Sequence, residues 1–282
     1  MSASTVHSDF EDLCLDIFDG VKNVEGWQSD RELEMLALLG AYPTADGVVL
    51  EIGSHRGRST IALAKGARFA GEPAIIAVDP LPDSVEMVPD RHSKLSARAA
   101  LDSNLAGAGI KDGVEFHQLL SSELAGTWDR PIRLLWIDAE HTYPAAKADY
   151  EHFYPHLSDG AIVALDDVIS NYFDGPVRVF SEILLSPNFG PSGLVGSIGW
   201  AQYFRNPQQA ARYRHHNARL FARLNRLVWL PAISDKPNWL QRRLFRLILL
   251  QIPNRRFEAA RWIGGMQAAG HADASMPVKT KN

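Results

Sequence analysis

One cysteine, Cys14, stands in 282 residues. No internal disulfide can form, and no second thiol is at hand for a thiolate zinc site. Such usage fits a reducing, cytoplasmic compartment. No apolar run reaches the roughly 18 residues of a membrane-spanning helix, so none is expected. The N-terminal stretch carries Asp9, Glu11, Asp12, Asp16 and Asp19. It lacks the basic-then-apolar order of a secretory signal, and no signal is expected. Internal repeats are absent. So is any module interleaving aromatic and basic residues for nucleic acid, and a nucleic-acid partner is not expected.

What is present is a globular composition, 46% hydrophobic and 22% charged, enough for a sizeable core. The charge is unevenly placed. Residues 1–211 hold 15 basic side chains against 30 acidic ones, while residues 212–262 hold 12 against 2. The split predicts an acidic body with a basic appendage.

Along the body, short runs rich in Val, Ile and Leu alternate with helical patterns. Strands are expected at 48–52, 74–78, 114–119, 132–137 and 161–165. Helices are expected at 30–42 (with Ser29 and Glu32 as a capping box), 59–65, 147–157 and 175–185. Ser158-Asp159-Gly160 reads as a helix stop and turn. Continuous apolar strands between helices predict an α/β fold with a parallel sheet buried on both faces. Residues 194–197 and 200–205, separated by a turn around Gly199, read as a closing antiparallel hairpin at the sheet edge. The organisation expected is an N-terminal helical segment (1–45), a catalytic domain (46–206), a basic helical extension broken at Pro231, Pro237 and Pro253 (207–263), and a disordered tail (264–282).

The first strand runs into Glu51, Gly53, Ser54, His55, Gly57 and Ser59, and a helix follows. Glycine at a strand-to-helix turn permits tight geometry and close approach of a ligand. Unpaired amides at a helix start bind ligand oxygens. Asp79, at the end of the second strand, is placed to hold a ribose. A dinucleotide fingerprint reads G-x-G-x-x-G; here the spacing is G-x-x-x-G, with His55 at the middle position. That favours a ligand bearing a carboxylate over one bearing a pyrophosphate. The plain alternative is a turn that only packs helix on sheet.

The stretch WIDAEHTY puts Asp138, Glu140 and His141 at the mouth of a buried strand. The next strand ends in Asp166 and Asp167. Adjacent parallel strands present these ends on one sheet edge, where open α/β folds bind ligands. Three converging carboxylates repel one another, and Mg²⁺, Mn²⁺ or Ca²⁺ would relieve the repulsion. His141 can point into the same site and accept a proton from a hydroxyl, while Glu140 is expected to face away. The plain alternative makes the aspartates helix caps and His141 a surface residue.

Three stretches, LEIGSHRGRST, IRLLWIDAEHTYPAAKADYEHFYPHL and LSDGAIVALDDV, together resemble class I S-adenosylmethionine-dependent methyltransferases. Within them the match is to the metal-dependent O-methyltransferase branch that includes catechol O-methyltransferase and macrolide sugar O-methyltransferases. The likeness covers roughly residues 26–205. It implies a Rossmann-like, mostly parallel seven-stranded sheet with helices on both faces. It also implies that Gly53, Ser54, Gly57 and Ser59 take the methionine part of the cofactor, with Glu51 supporting the loop or reaching the amino group. Asp79 would hold the ribose and Ser121 or Ser122 would lie near the adenine. Asp138, Asp166 and Asp167 would bind the metal, Asp138 also bordering the cofactor. His141 would be the general base, where catechol O-methyltransferase has a lysine. Ala139-Glu140 departs from the usual Gly-Asp or Gly-Gly.

The expected reaction is methylation of a hydroxyl on a small molecule, a sugar or glycoside diol ahead of a catechol, with Tyr172 and Phe173 in the acceptor pocket. A nucleotide-binding oxidoreductase and a non-catalytic metal or nucleoside binding module are the other classes left open. Residues 215–262 set Arg and Trp beside leucine-rich stretches. Packing on the acidic body or a homo-oligomer contact is the favoured reading, and peripheral contact with an anionic membrane at its inner face is the alternative.

Overall fold

The computed structural model describes residues 3–72, 74–81, 96–170, 172–228 and 238–253, with 259, 262, 264 and 265. The expected breaks at Pro231 and Pro237 lie outside the described residues, as does the tail from 266 onward.

The strands are β1 (Val48–Ile52), β2 (Ile75–Val78), β3 (Val114–His117), β4 (Ile132–Ile137), β5 (Leu157–Leu165), β6 (Phe189–Val195) and β7 (Ile198–Tyr203). They form one seven-stranded sheet in the order β3-β2-β1-β4-β5-β7-β6. The pairs among β1 to β5 are parallel, and β7 runs antiparallel to both β5 and β6. The expected doubly wound sheet with a closing hairpin is therefore present.

Both faces are covered, which is why the strands read as unbroken apolar runs. In β4, Leu134 and Trp136 join one core cluster with Ile17, Leu36, Ile61 and Leu101. Leu135 and Ile137 point the other way, to a cluster with Phe153, Phe180 and Leu224. The alternation is the period-two rule of a strand. The first face carries α1 (Ala3–Val21), α2 (Asp30–Ala41), α3 (Arg58–Phe69) and α4 (Ala97–Gly107). The second carries α5 (Ser121–Ala125), α6 (Tyr143–Phe153), α7 (Gly175–Leu185) and α9 (Arg214–Val228), the last following the short α8 (Pro207–Ala210). Beyond them lies α10 (Trp239–Leu249).

Two glycines set the position of α2. A Cβ on Gly40 would sit 2.7 Å from the Leu63 carbonyl oxygen, and one on Gly66 would sit 2.6 Å from that of Ala37. The backbones of α2 and α3 thus touch where they cross. At the C-terminal end of α2, the buried Arg133 of β4 donates to the Leu39 and Gly40 carbonyls at 3.2 and 3.0 Å and pairs with Glu72 at 2.6 Å. These carbonyls have no partner within the helix, and a cation satisfies them well.

Local expectations fail in three places. The helix expected at 147–157 begins at Tyr143, with Pro144 in its first turn, and ends at Phe153. Proline there is preset for a helix start. Ser158-Asp159-Gly160 lie inside β5, where the pairing with β4 slips from Ile132–Leu157 to Leu134–Ile162. Gly160, at φ +90°, accommodates that irregularity in the strand, so the sequence that read as a turn is a kink. The hairpin turn is Gly196-Ser197, with Gly196 at φ +63°. Gly199 belongs to β7, opposite Leu165 and Leu194.

Candidate functional site

The sheet's backbone ladder continues one step past the strand ends and builds the floor of the site. Gly53 N donates to Val78 O at 2.9 Å, Asp138 N to Ile52 O at 2.8 Å and Asp166 N to Ile137 O at 3.0 Å. Gly53, Asp138 and Asp166 therefore stand in a row on one rim. Gly53 has φ +90°, and a Cβ on it would lie 2.1 Å from the Asp138 carbonyl oxygen. Only glycine fits there, in conformation and in space.

Past Gly53 the chain turns into α3. Glu51, fully buried, props this turn from beneath. Its carboxyl accepts from Ser59 Oγ at 2.6 Å and Ser54 Oγ at 3.3 Å. Burial pushes it up to about 7, against the pull of the hydroxyls. Of the two roles implied for Glu51, the contacts are those of loop support. Asp79 holds the turn from the side: Oδ2 accepts from the Ser54 and His55 amides at 2.9 and 2.8 Å, and Oδ1 from Leu81 N at 2.7 Å. It sits at the β2 end as expected, bonded to the glycine turn, and Oδ1, with one bond, keeps a second lone pair for a ligand. Gly57, at φ +90°, leads into the twelve-residue α3, whose first-turn amides face the turn. This setting suits the carboxylate of an amino-acid-bearing nucleoside. Ser121 and Ser122 open α5, four residues past β3. The Ser121 hydroxyl is turned to Asp149 of α6, and Ser122 is exposed.

Asp138, Asp166 and Asp167 share the adjoining stretch of the same rim. A residue that the sequence reading passed over lies across them. Gln28, 7% exposed, donates through Nε2 to Asp138 Oδ2 at 2.8 Å and to Asp166 Oδ2 at 3.3 Å. The other Asp166 oxygen accepts from Ser197 Oγ at 2.6 Å. Ser197 Oγ and N in turn lie 2.8 and 2.6 Å from Glu32 Oε1, while Glu32 Oε2 accepts from Ser29 N at 2.8 Å. The expected capping residue of α2 thus also ties that helix to the β6–β7 turn. No sequence pattern announced Gln28 or Ser197, because each meets the aspartates through the fold alone.

His141 points into the cluster. Its Nε2 lies 3.6 Å from Asp138 Oδ1 and 3.7 Å from Asp167 Oδ2. Both are beyond hydrogen-bond length, and the buried nitrogen has no bonded partner. The ring stacks on Phe173 at 4.6 Å between centroids, on the segment expected to line the acceptor pocket. Tyr172 beside it is exposed. Glu140 is exposed and turned to Thr142, away from the site.

Burial dominates the electrostatics. It raises Asp138 well above the usual carboxylate range, helped by Asp166 and Asp167. It raises Asp166 against the Ser197 bond, and it brings Asp167 up to about 7, with Asp166 and Glu32 adding repulsion. Asp167 also stands at φ +51°, a conformation costly for a non-glycine residue and frequent at functional sites. Burial lowers His141, while Asp166 and Glu140 pull it back.

Three carboxylates suit a hard divalent cation in donor chemistry. Their placement does not: the Gln28 amide stands between Asp138 and Asp166. Among the described residues, no three His, Cys, Asp or Glu side chains close on one point.

Residues 50–168 match a family model described as a methyltransferase domain. Three solved structures are similar to this chain. The cofactor-bound Rv0187 from MTB is 21% identical, over 70% of this chain and 91% of that one, with a TM-score of 0.49. The O-methyltransferase TomG of Streptomyces achromogenes, involved in tomaymycin synthesis and solved with SAM, is 19% identical over 71% and 96%, with a TM-score of 0.49. A protein of Corynebacterium glutamicum is 12% identical over 69% and 91%, with a TM-score of 0.51. The matched domain runs from β1 to the Asp166–Asp167 pair and so contains the rim just described.

Proposed function

We propose, on the premise that residues 50–168 are a methyltransferase domain, that this chain methylates a hydroxyl of a small molecule with S-adenosylmethionine as donor, using His141 as the base. One observation carries the reading. A buried imidazole nitrogen without a hydrogen-bond partner faces two carboxylates on the rim that also holds the glycine turn.

The cofactor supplies a methyl group already activated on a sulfonium. The protein's task is geometry and proton transfer. The turn from Gly53 to Ser59 holds the amino-acid end, and Asp79 stands at the ribose end. His141, kept neutral by burial, takes the acceptor's proton on Nε2. The resulting imidazolium faces Asp138 and Asp167, and its positive charge draws carboxyls that burial holds protonated back toward the ionised form that stabilises it. Phe173 holds the ring's other face and fixes its direction.

A sugar or glycoside hydroxyl is the acceptor class we favour, ahead of a catechol. The motif resemblance supports it, and the exposed faces of Tyr172 and Phe173 offer flat apolar surface to a sugar ring. Dependence on a divalent cation is also implied by the resemblance. Asp138, Asp166 and Asp167 are the residues that would hold the ion, and it would lower the acceptor's pKa. As placed they do not enclose one, and the mechanism above routes no step through it.

The test is a methyl-transfer screen over glycosides and catechols with product mass analysis, run beside calorimetry with S-adenosylmethionine. A product 14 Da heavier from a hydroxyl acceptor is expected, 14 being roughly the mass of one added CH₂. Binding of NADH in place of S-adenosylmethionine would overturn the proposal.

A further inference from the structure

Helix α10 is apolar on both sides. Its inner side packs Phe245, Ile248 and Leu249 on the second core cluster, next to the buried Ile252, and Gln251 just past its end bonds Arg226 of α9. Its outer side shows Trp239 70% exposed, Leu240 55%, Leu244 40%, Leu247 50% and Leu250 83%. The spacing 240, 244, 247 is one helical stripe, and Trp239 and Leu250 border it. Five of the twelve large apolar side chains exposed among the described residues fall on or beside this stripe, so it is a patch and not scatter. Arg243 lies over the Trp239 ring at 5.6 Å, and Arg246 is exposed.

Charge decides what covers the stripe. Neither α9 nor α10 contains a carboxylate. A second copy docking symmetrically would bring Arg243 and Arg246 against their own duplicates, with no acid on the helix to pair them. The inner side packs on α9, so the exposed stripe faces away from the chain's own core. A lipid surface satisfies both features at once: leucines enter the acyl boundary, Trp239 suits the interface, and arginines meet phosphates.

We propose that α10 binds an anionic membrane surface through Trp239, Leu240, Leu244, Leu247 and Leu250, with Arg243 and Arg246 on the headgroups. The inference rests on the helix alone and stands apart from the methyl-transfer reading.

The full chain is sedimented at low salt with phosphatidylcholine vesicles, with and without phosphatidylglycerol. Binding that requires the anionic lipid is expected. The pair Leu244→Glu with Leu247→Glu abolishes it, and the pair Arg243→Glu with Arg246→Glu weakens it by roughly thirtyfold or more. All these residues are exposed, so circular dichroism and thermal midpoint stay at wild-type values. No pelleting with anionic vesicles overturns the proposal, as does pelleting that neither pair changes. Concentration-dependent dimerisation lost in the leucine pair, without vesicle binding, overturns it in favour of a second copy.

Discussion

Gly53 has no room for even a methyl group, since the Asp138 carbonyl occupies that place. Gly53→Ala must therefore push the turn off the rim. Loss of S-adenosylmethionine binding by calorimetry is expected, with a fall in stability of about 1–3 kcal/mol from overpacking alone. His141 calls for the opposite result. The variant His141→Gln keeps cofactor affinity and slows methyl transfer by roughly 10²–10⁴-fold in single-turnover kinetics. A variant as fast as the wild type would remove the base assignment. At Gln28 the expectation concerns a competitor. The amide neutralises part of the Asp138–Asp166 repulsion, so Gln28→Ala leaves those carboxylates in want of a cation. Mg²⁺ is expected to raise the thermal midpoint of the variant more than that of the wild type; equal shifts would show that amide and ion do not compete. Legibility at this scale followed spacing. Gly53, Asp79, Asp138, His141 and the Asp166–Asp167 pair sit at strand ends, where apolar runs stop. Gln28 sits in no pattern, and it reaches Asp138 across 110 positions.

For the elements, the alternation of apolar runs with helices gave the parallel sheet directly, because strands buried on both faces are mostly apolar, with partnered exceptions such as Glu51 and Arg133. What it missed were the interruptions. Gly160 in β5 carries the same residue chemistry as a turn, and only the pairing with β4 distinguishes the two. The crossing of α2 on α3 was also hidden, since Gly40 and Gly66 read as weak points of helices until each is seen against the other's backbone. Gly66→Val would force a side chain to 2.6 Å from the Ala37 carbonyl oxygen. A loss of about 1–3 kcal/mol in denaturant unfolding is expected. A second effect is expected too: α2 carries Glu32 and follows directly on Gln28, so spreading the helices loosens the bonds on Asp166. Unchanged stability would mean that the two helices tolerate separation.

The whole molecule concentrates buried acid near one rim, and this gives its stability a pH slope. Glu51 is raised from an ordinary 4.5 to about 7, so the folded chain holds a proton that the unfolded chain releases. That contribution is complete below pH 4.5 and is lost as pH rises through about 7, a change of about 3 kcal/mol. Glu51→Gln removes the titration. Its thermal midpoint is expected to gain on the wild type between pH 4.5 and about 7, the window between the two values. A constant gap across that window would show that Glu51 is charged throughout.

The rim also tells a protein engineer where to cut. Gly53, Asp138 and Asp166 are tied through main-chain atoms to neighbouring strands, so no one of them can be re-aimed without its neighbours. Phe173 hangs on the connection between β5 and α7, outside that ladder. On the acceptor role proposed for Phe173, retargeting is a matter of exchanging residues 172–174 while Asp166 and Asp167, at the head of that connection, stay in place.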